Sequence, residues 1–286
     1  MPIWGYDGVP HGDLRWWDGD SAENQLRWCA TNGFRCTGHM KPATWEDPDR
    51  RARLIALARD LGLRVHLGFN LDWWTLPMSE IHAKGEAFVA GLDGFAGLDV
   101  PFIGTGLGQT HRYHPTRPLE RQLDHVSSCL APLARRLAER GTPLALHNGF
   151  DWAGAELAEL CRRTPGLGLL YDTGNVMVLG LDPLESARAA APHVIATHLK
   201  DHVVYPWTDE RAKAEGVKRQ AFLVDGAALG EGHGRVLEVM HAIHAGHPAP
   251  ERIIWGWEVE PAKDDNGQSA VDRSWAVCRR FEREIA

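Results

Sequence analysis

Short apolar runs alternate along the whole chain with longer stretches whose apolar positions recur at helical spacing. The runs, at residues 2–7, 34–37, 64–69, 100–104, 143–146, 167–171, 194–197 and 252–259, read as strands. The stretches between and after them, at residues 21–31, 45–61, 79–91, 119–140, 152–163, 182–191, 235–244 and 269–285, read as helices. Ser21 suits the start of the first of these, acidic residues open the second and Gly62 closes it. The sixth carries Pro183 in its first turn and Pro192 beyond its end. The strands are apolar on both faces, as a parallel sheet covered by helices requires. Eight strand-then-helix units predict an α/β fold, a single (β/α)8 TIM barrel, rather than an open sheet. No linker or shift of composition interrupts the series, so one domain over residues 1–286 is expected. A polar insertion at about 202–234 is longer than ordinary connections and reads as a lid.

Several apolar runs stop at a side chain able to bind a metal, and active sites of parallel α/β folds lie where the strands end. Side chains alternate along a strand, so His147 shares a face with Ala145, Asp172 with Leu170 and Gly168, His198 with Ala196, and Glu258 with Gly256. If those faces point inward, four strands aim His147, Asp172, His198 and Glu258 at one axis. Two imidazoles and two carboxylates suit Mn²⁺, Co²⁺, Fe²⁺ or Zn²⁺ better than Ca²⁺, with Mg²⁺ also admissible. Removing a proton beside a carbonyl needs such an ion as Lewis acid and a carboxylate as base. Glu258 and Glu260 share a strand face, so either is a candidate base and either a candidate ligand; Glu258 is favoured as ligand because the chain runs on from it into a loop. Lys200 shares the face of His198, and Asp201 does not; Asp201 reads equally as a site residue or as half of a strand-end ion pair.

His66 shares its face with Gly68 and Asn70, and with His39 it stands at a strand end; each can face substrate or be hydrogen-bonded within the scaffold. His111 and Arg112 lie in the fourth loop and read as contacts to a hydroxylated or anionic ligand, or as solvated loop residues. Trp16, Trp17, Trp45, Trp73, Trp74, Trp152 and Trp207 all follow strands, where indole faces stack on sugar rings or pack loops together. Trp16, Trp74 and Trp152 are the favoured contacts, together with Asp201.

Composition narrows the class. Hydrophobic content of 44% and charged content of 24% are ordinary for a globular chain. A net charge of −7 without a Lys/Arg cluster disfavours nucleic acid. No apolar run long enough to span a membrane and no basic-then-apolar leader is present, so a cytoplasmic protein without a membrane partner is expected. Five cysteines without a Cys-x-x-Cys pair read as free thiols. Nothing in the sequence speaks against a homo-oligomer. No dinucleotide fingerprint, phosphate-binding loop, nucleophile elbow or HExxH helix occurs.

The stretch DTGN at 172–175, the run from Ala191 to Val194 leading into HLKD at 198–201, and Leu229-Gly230-Glu231-Gly232 resemble the xylose-isomerase-like TIM barrels, the sugar isomerase and epimerase superfamily. The resemblance implies one divalent metal, Mn²⁺ foremost, held by Glu, Asp, His and Glu from strands five to eight. Asp172, His198 and Glu258 match the last three positions. The first departs: where the superfamily reads Glu-Asn-His, this chain has His147-Asn148-Gly149, which keeps a ligand and a proton carrier but removes the symmetric pair of carboxylates. The resemblance places Lys200 and Asp201 near the site and gives Glu231 a part in positioning the lid. It implies an isomerase or epimerase of a carbohydrate or polyol working through an enediolate, with Glu258, Glu260, His147 and Lys200 as catalytic residues and a small carbohydrate or glycoside as partner. The alternative is a lyase or dehydratase of the same superfamily, for example β-elimination of a 3-keto-glycoside. A metal-dependent phosphoester hydrolase would need a richer ligand cluster, and a non-catalytic barrel would need no metal.

Overall fold

The structure, a computed structural model, describes residues 1–7, 21–38, 40, 42–108, 112–206, 208, 210, 214, 222–260 and 266–286. Parallel strands β1 (Ile3–Tyr6), β2 (Cys36–Thr37), β3 (Arg64–Val65), β4 (Leu67–Gly68), β5 (Ile103–Gly106), β6 (Leu144–His147), β7 (Leu167–Asp172), β8 (Val194–His198) and, after a hairpin described below, β11 (Ile254–Trp257) form one sheet. Its order is β3-β2-β1-β11-β8-β7-β6-β5-β4. The two ends of that order, β3 and β4, are successive segments separated only by His66, so residues 64–68 close the ring and the nine segments make an eight-stranded barrel. The helices are α1 (Ser21–Thr31), α2 (Pro48–Asp60), α3 (Met78–Gly91), α4 (Leu119–Glu139), α5 (Gly154–Arg163), α6 (Asn175–Val178), α7 (Pro183–Ala190), α8 (Val236–Gly246) and α9 (Gly267–Ile285) among the described residues. A (β/α)8 TIM barrel results, as the alternation predicts.

Two apolar layers hold it. Inside the barrel, Cys36, Phe102, Ala145, Leu170, Ala196 and Ile254 pack together with Ile3 and Ile195 against them. The predicted parity is therefore present: Ala145, Leu170 and Ala196 point in, beneath His147, Asp172 and His198. Phe102, Leu170 and Ile254 supply most of the bulk that fills the interior. Outside, the opposite strand faces meet the helices in a second and larger core that includes Leu144, Leu146, Leu169, Tyr171 and Trp255.

Where boundaries differ from the sequence-based expectation, proline and local hydrogen bonds account for it. The stretch 45–61 is not one helix, because Pro48 lacks an N–H and starts a new one: Asp47 caps α2 through Oδ1, accepting from the backbone N–H of Asp49 and Arg50. Asp182 caps α7 in the same way, with Pro183 at its first position. The strand expected at 100–104 begins at Ile103 instead, beyond Pro101, which cannot donate to a ladder. The insertion after β8 opens with an antiparallel hairpin, β9 (Asp201–Pro206) paired with β10 (Phe222–Ala227). Most of the residues between its strands lie outside the described residues.

Candidate metal centre

Asp172 ends β7, and its two carboxylate oxygens have separate tasks. Oδ1 accepts from the backbone N–H of Gly174 and Asn175, both at 2.9 Å, and so starts α6. That leaves Oδ2 facing the barrel axis. Asn148, next to His147, holds the Asp172 backbone on both sides: its amide donates to the Asp172 carbonyl and its Oδ1 accepts from the Asp172 N–H. Asn175 donates its amide to the Asn148 carbonyl at 2.8 Å and so ties the ends of β6 and β7 together. Thr173 exchanges hydrogen bonds with the Lys200 backbone, both at 2.9 Å, and fixes β8 to the same frame.

On this frame His147, Asp172, His198 and Glu258 each offer one ligand atom, and the four atoms lie within 4.8 Å of one another. Asp172 and His198 are fully buried, while His147 and Glu258 keep 25% and 14% of their side chains exposed and so form the open side. His147 Nε2 stands 3.5 Å from Asp172 Oδ2, and His198 Nδ1 stands 2.8 Å from Glu258 Oε2. Lys200 Nζ reaches Asp172 Oδ2 and Glu258 Oε2, both at 3.2 Å, and Glu260 Oε1 at 3.5 Å. The alternation that put Lys200 on the face of His198 is thus observed. Glu260 sits further out, 44% exposed, so it is Glu258 that joins the cluster.

Burial alone would raise the Asp172 pKa, but His147 and Lys200 outweigh it and hold the carboxyl well below the usual range. For Glu258 burial likewise acts upward, and His198 and Lys200 bring the pKa down. Burial pushes His198 down, yet the carboxylates of Asp7 and Glu258 carry it up to about 10. Lys200 is held above its ordinary value, against burial, by Asp172, Glu258 and Glu260. The centre is thus anionic and draws positive charge to itself. Among the described residues, buried His147 Nε2, Asp172 Oδ2 and Glu258 Oε2 make no well-directed hydrogen bond, which is how ligand atoms meet when a cation belongs between them. The cluster can bind a divalent metal.

Asp7 is a site residue that the sequence alone does not single out. It lies just past β1 and is 5% exposed; Oδ1 is 2.9 Å from His66 Nε2, and Oδ2 is 3.2 Å from His198 Nε2. The carboxylate lies well below its ordinary pKa, because His66 and His198 outweigh its burial. Its one sequence signal is its position, a carboxylate directly after a strand.

Several expected substrate contacts are placed elsewhere. His66 is 5% exposed, lies across Gly38 (where a Cβ would fall 2.0 Å from its Nε2), stacks on Phe102 and holds Asp7. Trp152 has no exposed surface for a ligand to touch, and Trp73 and Trp45 are likewise core residues. Trp74 is half-buried, donates Nε1–H to the Leu107 carbonyl, and is flanked by His125 and the Arg117 guanidinium. Arg112 pairs with Glu156. Asp201 makes no ion pair among the described residues and is taken up by backbone donors. It accepts from the backbone N–H of His202, Gly230, Gly232 and Gly234, and so pins the glycine-rich loop below the hairpin. Glu231 in that loop points to Arg273. His39, Trp16, Trp17, His111 and Trp207 lie outside the described residues.

A search of curated protein sequences returns no match. Among solved structures, an L-ribulose 3-epimerase superposes with a TM-score of 0.68 at 14% identity, covering 100% of this chain and 97% of its own. The probable 3-DHS dehydratase AsbF of Bacillus anthracis, involved in petrobactin synthesis, gives 0.63 at 13% identity over 98% and 99% of the two chains. The IolI protein with a bound zinc atom gives 0.62 at 14% identity over 90% and 91%. At such identities these likenesses speak for the fold. The family model described as xylose isomerase-like TIM barrel matches residues 4–247, a span holding Asp7, His147, Asp172 and His198 though not Glu258, and the chain therefore belongs to the xylose isomerase-like TIM barrel family.

Proposed function

We propose that the chain is a divalent-metal-dependent isomerase or epimerase of a carbohydrate or polyol, working through an enediolate. The observation that carries the reading is the convergence of His147, Asp172, His198 and Glu258 at the barrel mouth, with three buried ligand atoms lacking a directed hydrogen bond. A divalent ion held by His147, Asp172, His198 and Glu258, Mn²⁺ foremost for this mixed nitrogen and oxygen set, would supply Lewis acidity toward a substrate carbonyl. Asp172, buried and ionised, holds charge and not protons. Glu260 is exposed enough to exchange its proton with water and lies beside Lys200, which suits it as the base at carbon. The Lys200 ammonium faces the same space and opposes negative charge growing on a substrate oxygen. Glu260 returns the proton to the neighbouring carbon, and His147, on the open side, could carry it only where its Nε2 is not held by the ion. The hairpin is joined to this site from both ends, since Asp201 starts it and a Cβ on Gly226 would fall 1.5 Å from the Glu260 carbonyl oxygen. We therefore take the 202–234 insertion as the cover of a single catalytic domain. All five cysteines are buried and free, which fits a reducing compartment such as the cytoplasm.

A second reading, a lyase or dehydratase, is favoured by His147 standing where a second carboxylate would complete a two-base pair. Glu260 would then take the proton and Lys200 would protonate the departing oxygen, as in β-elimination of a 3-keto-glycoside. One experiment separates these. The metal content of purified protein is measured, and a panel of ketoses and 3-keto-glycosides is incubated with it in D₂O. An isomerase leaves deuterium on carbon in a recovered sugar, and a lyase releases an unsaturated ketone. Absence of a stoichiometric divalent ion, or turnover without either product, overturns the proposal.

A further inference from the structure

Asp7 has both carboxylate oxygens committed, one to His66 Nε2 and the other to His198 Nε2. An ionised carboxylate is acceptor-only, so the imidazole nitrogen facing it must carry the proton. A neutral His198 then has its lone pair on Nδ1, the atom 2.8 Å from Glu258 Oε2. Nδ1 is therefore the ring atom turned to the cluster of His147, Asp172 and Glu258, with Asp7 behind the ring at Nε2. We infer that Asp7 is a positioning residue for the metal centre: it fixes the tautomer and ring plane of His198, so that Nδ1 is presented to a divalent cation, and His66 holds Asp7 to that task.

The surroundings support this. His66 is clamped between Phe102, at 4.5 Å between ring centroids, and Gly38, where any side chain would collide with the imidazole. Asp7 therefore cannot turn away from His198 without abandoning a second hydrogen bond in a buried place. A carboxylate behind a ligand imidazole also makes that imidazole a stronger donor to a metal, and removing such a partner generally weakens the metal by about 10–100-fold. The effect counts for more here, because the ligand set holds two carboxylates only. Asp7 adds a negative charge one imidazole away from the ion.

This inference rests on the metal reading above, and the test separates the two. Asp7→Asn keeps the shape and an acceptor for Nε2–H but removes the charge; Asp7→Ala removes both. Zn²⁺ and Mn²⁺ dissociation constants are measured by chelator competition on each variant, and the His198 Nε2–H resonance is followed by ¹⁵N-edited NMR in metal-free and Zn²⁺-loaded protein. Asp7→Asn is expected to weaken Zn²⁺ about 10-fold and Asp7→Ala further still, within the range expected for such partners. The Nε2–H proton should lie far downfield in the parent and move upfield in Asp7→Asn, with or without metal. Unchanged affinities in both variants, or an unmoved Nε2–H resonance in Asp7→Asn, overturn the inference. If the parent binds no metal, the metal reading fails, and the metal-free resonance still decides whether Asp7 orients His198. Should Asp7→Ala not fold, Asp7→Asn decides the matter, with His66→Gln as the second variant: loosening Asp7 from its far side should weaken Zn²⁺ by less than Asp7→Asn does.

Discussion

Replacing Lys200 with methionine removes one positive charge and keeps most of the side-chain volume. The ammonium has 9% of its side chain exposed and lies 3.2 Å from both Asp172 Oδ2 and Glu258 Oε2, whose side chains are 0% and 14% exposed. Taking away one partner of a buried ion pair typically costs about 3–5 kcal/mol, because the remaining charge is left uncompensated. At roughly 2 °C per kcal/mol for a chain of this size, metal-free Lys200→Met should melt about 6–10 °C below the parent. A divalent ion bound by this cluster would supply the missing charge at the same oxygens, so with saturating Mn²⁺ the difference should shrink to under about 3 °C, the variant gaining more from the ion than the parent does. Paired calorimetric scans with chelator and with MnCl₂ provide the comparison. An equal loss in both conditions would mean that the ion and the ammonium do not share those oxygens, and the assignment of Asp172 and Glu258 to one centre would fall.

Two further outcomes follow from the same geometry. In metal-free protein, His198 is held up to about 10 from 6.5, so its contribution is complete below about pH 6.5 and is lost as pH rises through about 10. Asp172 and Glu258 are held below 3.8 and 4.5, so their contribution is present above those values and is lost as pH falls into the depressed range. Urea unfolding across pH should therefore show highest stability between about pH 5 and 6.5, and a further rise toward pH 9 would contradict the environment assigned to His198. Asp201→Ala strips four backbone N–H groups of their acceptor, and the two that are fully buried, at His202 and Gly234, set the cost at about 2–4 kcal/mol. A loss below about 1 kcal/mol in urea unfolding would show that the glycine-rich loop is held by something else.

The local pattern is enough for the barrel and for most of the cluster of His147, Asp172, His198 and Glu258 at its mouth. Asp172 and His198 end strands whose inward faces are set by simple alternation, and neighbouring parallel strands bring their ends together in register, with Asp172 opposite His198. Lys200 is legible for the same reason, lying two positions beyond His198. The tryptophans are legible by position only, and position does not distinguish an indole turned to the mouth from one turned to the helices; Trp152 and Trp73 are in the core because the loops there need apolar filling. Asp201 defeats a reading by strand parity because its partners are backbone N–H groups, most of them some thirty residues onward, in a loop whose path no side-chain pattern encodes.

Alternation and helical spacing, which depend on residues a few positions apart, determined the strands, the covered parallel sheet, the closed ring and the side chains at its mouth. Only the tertiary structure decided what surrounds those side chains. Asp7 meets His66 across 59 residues and His198 across 191, contacts that exist because the first strand is seated between the second and the last when the barrel closes. A carboxylate after a strand is written in the sequence; which imidazoles it faces, and with which oxygen, is settled by the closure of the ring.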